Sequence, residues 1–68
     1  MREKLEKLFE KMLDNNIGLH DFTRLVEAIY IEKALERNNF NIVKTAKLLN
    51  IHRNTLSNKI KKFNIKIK

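Results

Sequence analysis

The chain has 68 residues and a formal net charge of +7, with no cysteine, no proline and one glycine. This length favours a single domain, and so small a domain gains stability most readily from a second copy. Without cysteine there is no disulfide, and the two histidines, His20 and His52, are too few and too separated for a metal cluster, so we expect neither a metal nor a cofactor. No apolar run approaches the ~18 residues of a membrane span, and no signal-peptide pattern is present. We therefore expect a cytoplasmic protein without a membrane partner.

The charge is unevenly distributed. Residues 1–36 carry six basic and eight acidic side chains, a net charge of −2, whereas residues 37–68 carry nine basic and none acidic, a net charge of +9. Such a carboxylate-free half is typical of a protein that binds a polyanion, and a merely solvated surface explains it less well. No carboxylate pair, Cys–His or Ser–His constellation falls in one region, so we do not expect an enzyme.

Apolar spacing predicts the first helix from Arg2 to about Asp14. Its apolar residues recur at the three- and four-residue intervals of an amphipathic helix. The residues of this face are Leu5, Leu8, Phe9, Met12 and Leu13. Polar residues then stop the helix, and Gly18 is expected as a left-handed turn residue because glycine adopts positive φ without a steric penalty.

A second helix is predicted from about His20 or Asp21 to Arg37, with Asp21 as its N-cap. It has two apolar faces with Tyr30 between them. The first face comprises Phe22, Leu25, Val26 and Ile29, and the second comprises Ala28, Ile31, Ala34 and Leu35. A helix that is apolar over much of its circumference must be buried on several sides. We expect it to pack on the first helix, on the C-terminal half and on a second copy; a monomeric four-helix bundle is the alternative.

Two short helices are predicted at Ile42–Leu49 and at about Arg53–Phe63. Asn41 and His52 stand at their N-cap positions, Asn50 is suited to the left-handed turn between them, and Asn64 resembles a stop. Their apolar stripes are Ile42, Ala46 and Leu49 in the first and Leu56, Ile60 and Phe63 in the second. In the tail, one isoleucine packs on the core, or the end is frayed and basic.

Most long polar side chains of the fourth helix lie outside its apolar stripe, which suits insertion into a DNA major groove. The candidate base-reading residues are Arg53, Asn54 and Asn58. The candidate phosphate-binding residues are Asn41, Lys44, His52, Thr55, Lys59, Lys61 and Lys62. Each has a plainer alternative: a phosphate contact for Arg53, helix packing for Thr55, capping for Asn41, and solvation for Asn58 or any one lysine.

The segment Asn41–Ile65 resembles the Fis-type helix-turn-helix, which also forms the C-terminal DNA-binding domain of NtrC-like bacterial enhancer-binding activators. The family pattern is roughly G-N-x-x-x-A-A-x-x-L-G-I-x-R-x-T-L-x-x-K-L-K-K. Matching residues are Asn41, Ala46, Leu49, Ile51, Arg53, Thr55, Leu56, Lys59, Lys61 and Lys62. Leu25–Glu36 also resembles the preceding helix of NtrC-like proteins. Phe40 and Asn50 replace glycines, and His52 replaces a Ser or Asn cap.

This resemblance implies an all-α, four-helix Fis-like domain that forms an intertwined homodimer. Residues 1–38 would be the dimerisation helices and residues 41–64 the helix-turn-helix. The expected dimer interface consists of Leu5, Leu8, Phe9, Met12, Phe22, Leu25, Val26 and Ile29. The two fourth helices would enter successive major grooves of one duplex, bind an inverted repeat and bend the DNA.

Two functions follow within nucleic-acid binding. The first is sequence-specific binding of double-stranded DNA by the homodimeric DNA-binding domain of an NtrC-like activator. The receiver and ATPase domains of such an activator would be absent from this chain, which has no P-loop motif. The alternative is a stand-alone, nucleoid-associated Fis-like protein that bends DNA with loose specificity. A helical module that binds proteins or anionic membranes is a third class, which the basic tail could support.

Overall fold

The computed structural model of the protein describes residues 1–67 and contains four α-helices. These are α1 (Arg2–Asp14), α2 (Leu19–Arg37), α3 (Ile42–Leu49) and α4 (Arg53–Lys62). Helices α2, α3 and α4 pack on one another, whereas α1 is joined to them mainly through the first turns of α2. Within residues 1–67 there is no strand, so the predicted four-helix, all-α architecture is confirmed.

All four helices end in the same way. The chain turns at an asparagine in the left-handed conformation, with φ between 51° and 60°. The next amide then donates to the carbonyl five positions back, over 2.8–3.2 Å. The asparagines are Asn16, Asn39, Asn50 and Asn64, and the donors that follow them are Ile17, Phe40, Ile51 and Ile65. Asparagine tolerates this conformation better than other residues with a Cβ, and the apolar residue after it turns back towards its helix.

The predictions for the start of α2 were wrong. Gly18 has an extended φ of −71° and is the N-cap of α2, because Asn16 already provides the left-handed residue. Asp21 lies within the first turn and makes no capping hydrogen bond through its side chain. Its carboxylate instead lies near the positive end of the helix dipole. The prediction for Asn50 is confirmed, since it is left-handed between α3 and α4.

The core lies between α2 and the helix-turn-helix. Leu35 of α2 and Leu56 of α4 are completely buried, at 0% exposure. The other buried apolar residues are Ile31, Ala34, Ala46, Ile60 and Ile65. The rest of the predicted stripes, Ile42, Leu49 and Phe63, packs around this cluster. The second apolar face of α2 and both stripes therefore meet as predicted, and Ile65 anchors the tail.

Two unusual residues flank the start of α3. Thr45 is a completely buried polar residue, and its Oγ1 donates to the Asn41 carbonyl at 2.7 Å, so burial leaves no unpaired hydroxyl. Phe40 has a φ of 63°, which is rare for a bulky residue, and occupies a position where the family pattern has glycine. Its ring packs against the core cluster, which offsets the strain of the backbone.

Helix α1 and the N-terminal half of α2 leave several large apolar side chains exposed. No residue of α1 is buried, and α1 meets α2 through an edge-to-face contact of Phe9 and Phe22, with ring centroids 5.2 Å apart. Five of the eight residues expected in a dimer interface are exposed, and the other three are half-buried. The exposed five are Leu5, Leu8, Leu25, Val26 and Ile29. Within residues 1–67 no helix is long and apolar enough to cross a membrane.

Candidate nucleic-acid interface

Side chains cap both helices of the helix-turn-helix. Asn41 Oδ1 accepts a hydrogen bond from the Lys44 amide at 3.0 Å, and His52 Nδ1 accepts one from the Asn54 amide at 3.1 Å. Both predicted N-caps are therefore present, including the histidine that replaces the family's Ser or Asn. Because Nδ1 is the acceptor in this cap, Nε2 is the ring nitrogen that can donate a hydrogen bond. That nitrogen remains available to donate to a ligand oxygen.

Two buried apolar side chains fix the orientation of α4. Leu56 and Ile60 lie one turn apart in the core, so the opposite side of the helix faces solvent. The three candidate base-reading residues, Arg53, Asn54 and Asn58, are all exposed. Arg53 and Asn54 form the first turn, and Asn58 follows one turn later. The structure thus gathers the predicted base-reading set on the accessible part of one helix.

Most candidate phosphate-binding residues are exposed on the helix-turn-helix. Lys44 is exposed at the start of α3, and Lys61 and Lys62 are exposed in the last turn of α4. The Lys62 ammonium also lies 5.6 Å from the ring centroid of Phe63, within cation–π range. Thr55 is exposed, which argues against the alternative of helix packing. These donors therefore lie at the start of α3 and along α4, on the same two-helix unit as the base-reading residues.

Lys59 is the exception among the candidate phosphate-binding residues. Its ammonium forms an ion pair with the Glu27 carboxylate of α2, and both side chains are partly buried. No sequence pattern indicates this partner, because the two residues are 32 positions apart. Glu27 therefore bears on this surface although sequence analysis did not identify it.

The helix-turn-helix carries no negatively charged side chain. Every Asp and Glu of the chain lies at or before Glu36, and both α3 and α4 come after it. Two short, closely packed helices thus present a carboxylate-free basic surface, while the acidic residues lie on α1 and α2. Such a separation of charge produces a local positive potential that attracts polyanions. Among residues 1–67 no group of three or more His, Asp or Glu side chains could hold a metal ion.

The family model described as "Bacterial regulatory protein, Fis family" matches residues 22–63, which is more than half of the chain. The chain belongs to the Fis family. The match covers most of α2, all of α3 and all of α4, and it confirms the resemblance inferred from the helix-turn-helix motif. This family assignment supports DNA binding through the helix-turn-helix. No curated protein and no solved structure matches the chain.

Proposed function

We propose that this Fis-family chain binds double-stranded DNA sequence-specifically as a homodimer, with α4 as the recognition helix. The observation that carries the proposal is the outer face of α4, where Arg, Asn, Thr and Lys side chains are exposed and no carboxylate interrupts them. Buried Leu56 and Ile60 hold that face outward. A helix of this kind fits the B-DNA major groove, where side chains in its first turns approach the base edges.

Arg53 is the principal base-reading residue in this proposal. It begins α4 and is exposed, so its guanidinium can donate two hydrogen bonds to the O6 and N7 atoms of a guanine. Asn54 and Asn58 are exposed further along the same helix, and an amide can pair with the N6 and N7 atoms of adenine. The His52 cap holds the first turn in place, since it satisfies the Asn54 amide at 3.1 Å.

Phosphate contacts fix the position of the helix on the duplex. Lys44, Lys61 and Lys62 supply ammonium groups, and Thr55 supplies a hydroxyl. His52 donates through Nε2, because its Nδ1 already accepts within the cap. Asn41 contributes by holding the N-terminus of α3 in shape, with its Oδ1 on the Lys44 amide. Such contacts provide an affinity that falls as the salt concentration rises. They also position the protein on the duplex without reading its base sequence.

The homodimer is supported by apolar surface that one copy leaves uncovered. Leu25, Val26 and Ile29 on α2 are each 46% exposed, and α1 has no buried residue, with Leu5 and Leu8 of its apolar face also exposed. A hollow of about 390 Å³ also opens between α2 and the helix-turn-helix, with a lining that is almost entirely apolar. A monomer rarely exposes so many large apolar side chains on two helices, and a second copy would cover them.

The biological role that fits these features is transcriptional control. We propose that the chain is the DNA-binding domain of a bacterial NtrC-like activator acting at an inverted-repeat enhancer site in the cytoplasm. Two-fold symmetry of a dimer would match two-fold symmetry of such a site. The other role within the same family, a nucleoid-associated DNA-bending protein of loose specificity, differs in its base selectivity and is separated by the same experiment.

The experiment is selection of the purified chain against a pool of random duplexes, followed by sequencing of the bound fraction. We expect enrichment of an inverted repeat. Arg53→Ala is expected to relax selectivity at one base pair in each half-site, by about 1–3 kcal/mol. Lys61→Ala is the matched control, because loss of a phosphate contact weakens all sequences equally.

Salt-sensitive binding without an enriched motif would favour the nucleoid role. An enriched motif that is not an inverted repeat would contradict the symmetric dimer. Absence of binding at low salt would overturn the proposal as a whole.

A further inference from the structure

One ion pair joins the recognition helix to α2. The Lys59 ammonium contacts the Glu27 carboxylate, across 32 positions of sequence. The other two ion pairs found among residues 1–67 are local: Arg2–Glu6 lies within α1 and Lys33–Glu36 within α2. Among the ion pairs of residues 1–67, Glu27–Lys59 is therefore the one that joins two different helices.

The location of Lys59 on α4 separates it from the other lysines. It follows Leu56 by three residues and precedes Phe63 by four, so it lies on the same side of the helix as the apolar stripe. Its side chain is 31% exposed, whereas Lys61 and Lys62 are on the exposed surface. Lys59 and Glu27 also line the rim of the apolar hollow between α2 and the helix-turn-helix.

We infer that Lys59 is a positioning residue whose pairing with Glu27 fixes the orientation of α4 relative to α2, and that it does not neutralise a DNA phosphate. The inference rests on the proposed DNA binding, and within it Lys59 has a positioning role in place of a phosphate contact. Because α2 also carries the exposed face that a second copy would cover, the pair links the dimerisation helix to the recognition helix. In a dimer, two such links set the angle between the two recognition helices.

This role and a phosphate contact have different signatures. Loss of a phosphate contact makes the dependence of log affinity on log salt concentration shallower by about 0.9. Loss of a positioning contact reduces affinity and leaves that slope unchanged. A partly exposed ion pair contributes modestly, so we expect a loss of affinity of about two- to ten-fold for a dimer that contains two of them.

The test is fluorescence anisotropy with a labelled random-sequence duplex between 50 and 200 mM salt. The variants are Lys59→Met, Glu27→Gln, Lys59→Glu and the charge-swapped double variant Glu27→Lys with Lys59→Glu. Lys61→Met is the matched control, since it removes an exposed lysine from the same helix. The double variant has the same net charge as the unaltered chain, so any change in its affinity is independent of total charge. Circular dichroism confirms that each variant has retained its helices.

We expect Lys59→Met and Glu27→Gln to weaken binding without a change in slope, and Lys61→Met to reduce the slope. The double variant should recover the affinity that Lys59→Glu loses, to within about two-fold of the unaltered chain. Three results would overturn the inference: a slope for Lys59→Met that falls as it does for Lys61→Met, tighter binding by Glu27→Gln, or a double variant as weak as Lys59→Glu. Absence of binding by the unaltered chain would instead overturn the proposed function, and the positioning role with it.

Discussion

In α3, α4 and the C-terminal half of α2, apolar side chains face one another and form a closed core. In α1 and the N-terminal half of α2, similar side chains face outward. Leu35 and Leu56 have 0% exposure in the first region, whereas Leu25 and Ile29 have 46% in the second. The contrast indicates that the core of the helix-turn-helix unit is completed within one chain, and it is the basis of the proposed homodimer, in which a second copy would cover the other region. The following experiments alter one region at a time.

The largest effect is expected in the closed core. Leu56→Ala should lower the free energy of unfolding by about 3 kcal/mol, because it removes a fully buried side chain and leaves a cavity. Urea denaturation followed by circular dichroism measures the change. Leu48→Ala is the matched control, since Leu48 is 58% exposed on α3 and should change stability by less than about 0.5 kcal/mol. Equal losses in the two variants would contradict the assignment of the core.

The second effect tests the uncovered region. Leu25→Glu should raise the dissociation constant of the proposed homodimer by about 30-fold, or roughly 2 kcal/mol, because it places an unpaired charge in an apolar contact. Sedimentation equilibrium in the absence of DNA measures the association. Leu48→Glu makes the same substitution at an exposed position outside that face and should leave association unchanged. A monomeric unaltered chain at micromolar concentration would show that this apolar face is not a dimer interface.

The third effect concerns the caps of the helix-turn-helix. Asn41→Ala and His52→Ala should each lower stability by about 1 kcal/mol, because an amide at the start of α3 or α4 loses its hydrogen-bond acceptor. Thermal unfolding provides the measurement. Asn54→Ala is the control: it changes an exposed residue inside α4, and alanine favours the helix interior. If Asn54→Ala destabilised the chain as much as Asn41→Ala, capping would not be the source of the effect.

The smallest effect is expected at the turn between α3 and α4. Asn50→Gly should change stability by no more than about 0.5 kcal/mol, because glycine relieves the left-handed backbone but loses more entropy on folding. Asn50→Ala retains a Cβ without the local hydrogen bonding of asparagine and should cost about 1 kcal/mol. Chemical denaturation of the two variants in parallel distinguishes them. Identical stabilities would show that the positive φ of Asn50, 57°, imposes no requirement on the side chain.

The sequence predicted the features that depend on local spacing and capping. The core stripes, the Asn41 and His52 caps and the left-handed Asn50 are all visible within a few residues, and the structure bears them out. The start of α2 was misplaced because both Asn16 and Gly18 can adopt the left-handed conformation. The sequence alone does not show which of them does so. The Glu27–Lys59 contact could not be predicted, since it depends on the packing of α2 against α4. Its charge groups Lys59 with the other lysines, although its spacing from Leu56 and Phe63 places it on the side of the apolar stripe.

The four left-handed asparagines also have a consequence for how quickly the chain folds. Each helix end is specified by a hydrogen bond that spans only six residues, so no helix depends on a distant segment to mark where it stops. Proteins dominated by such short-range contacts have low contact order and fold within microseconds to milliseconds. For this chain, the encounter of two copies would then be the slow step, and its rate would depend on protein concentration.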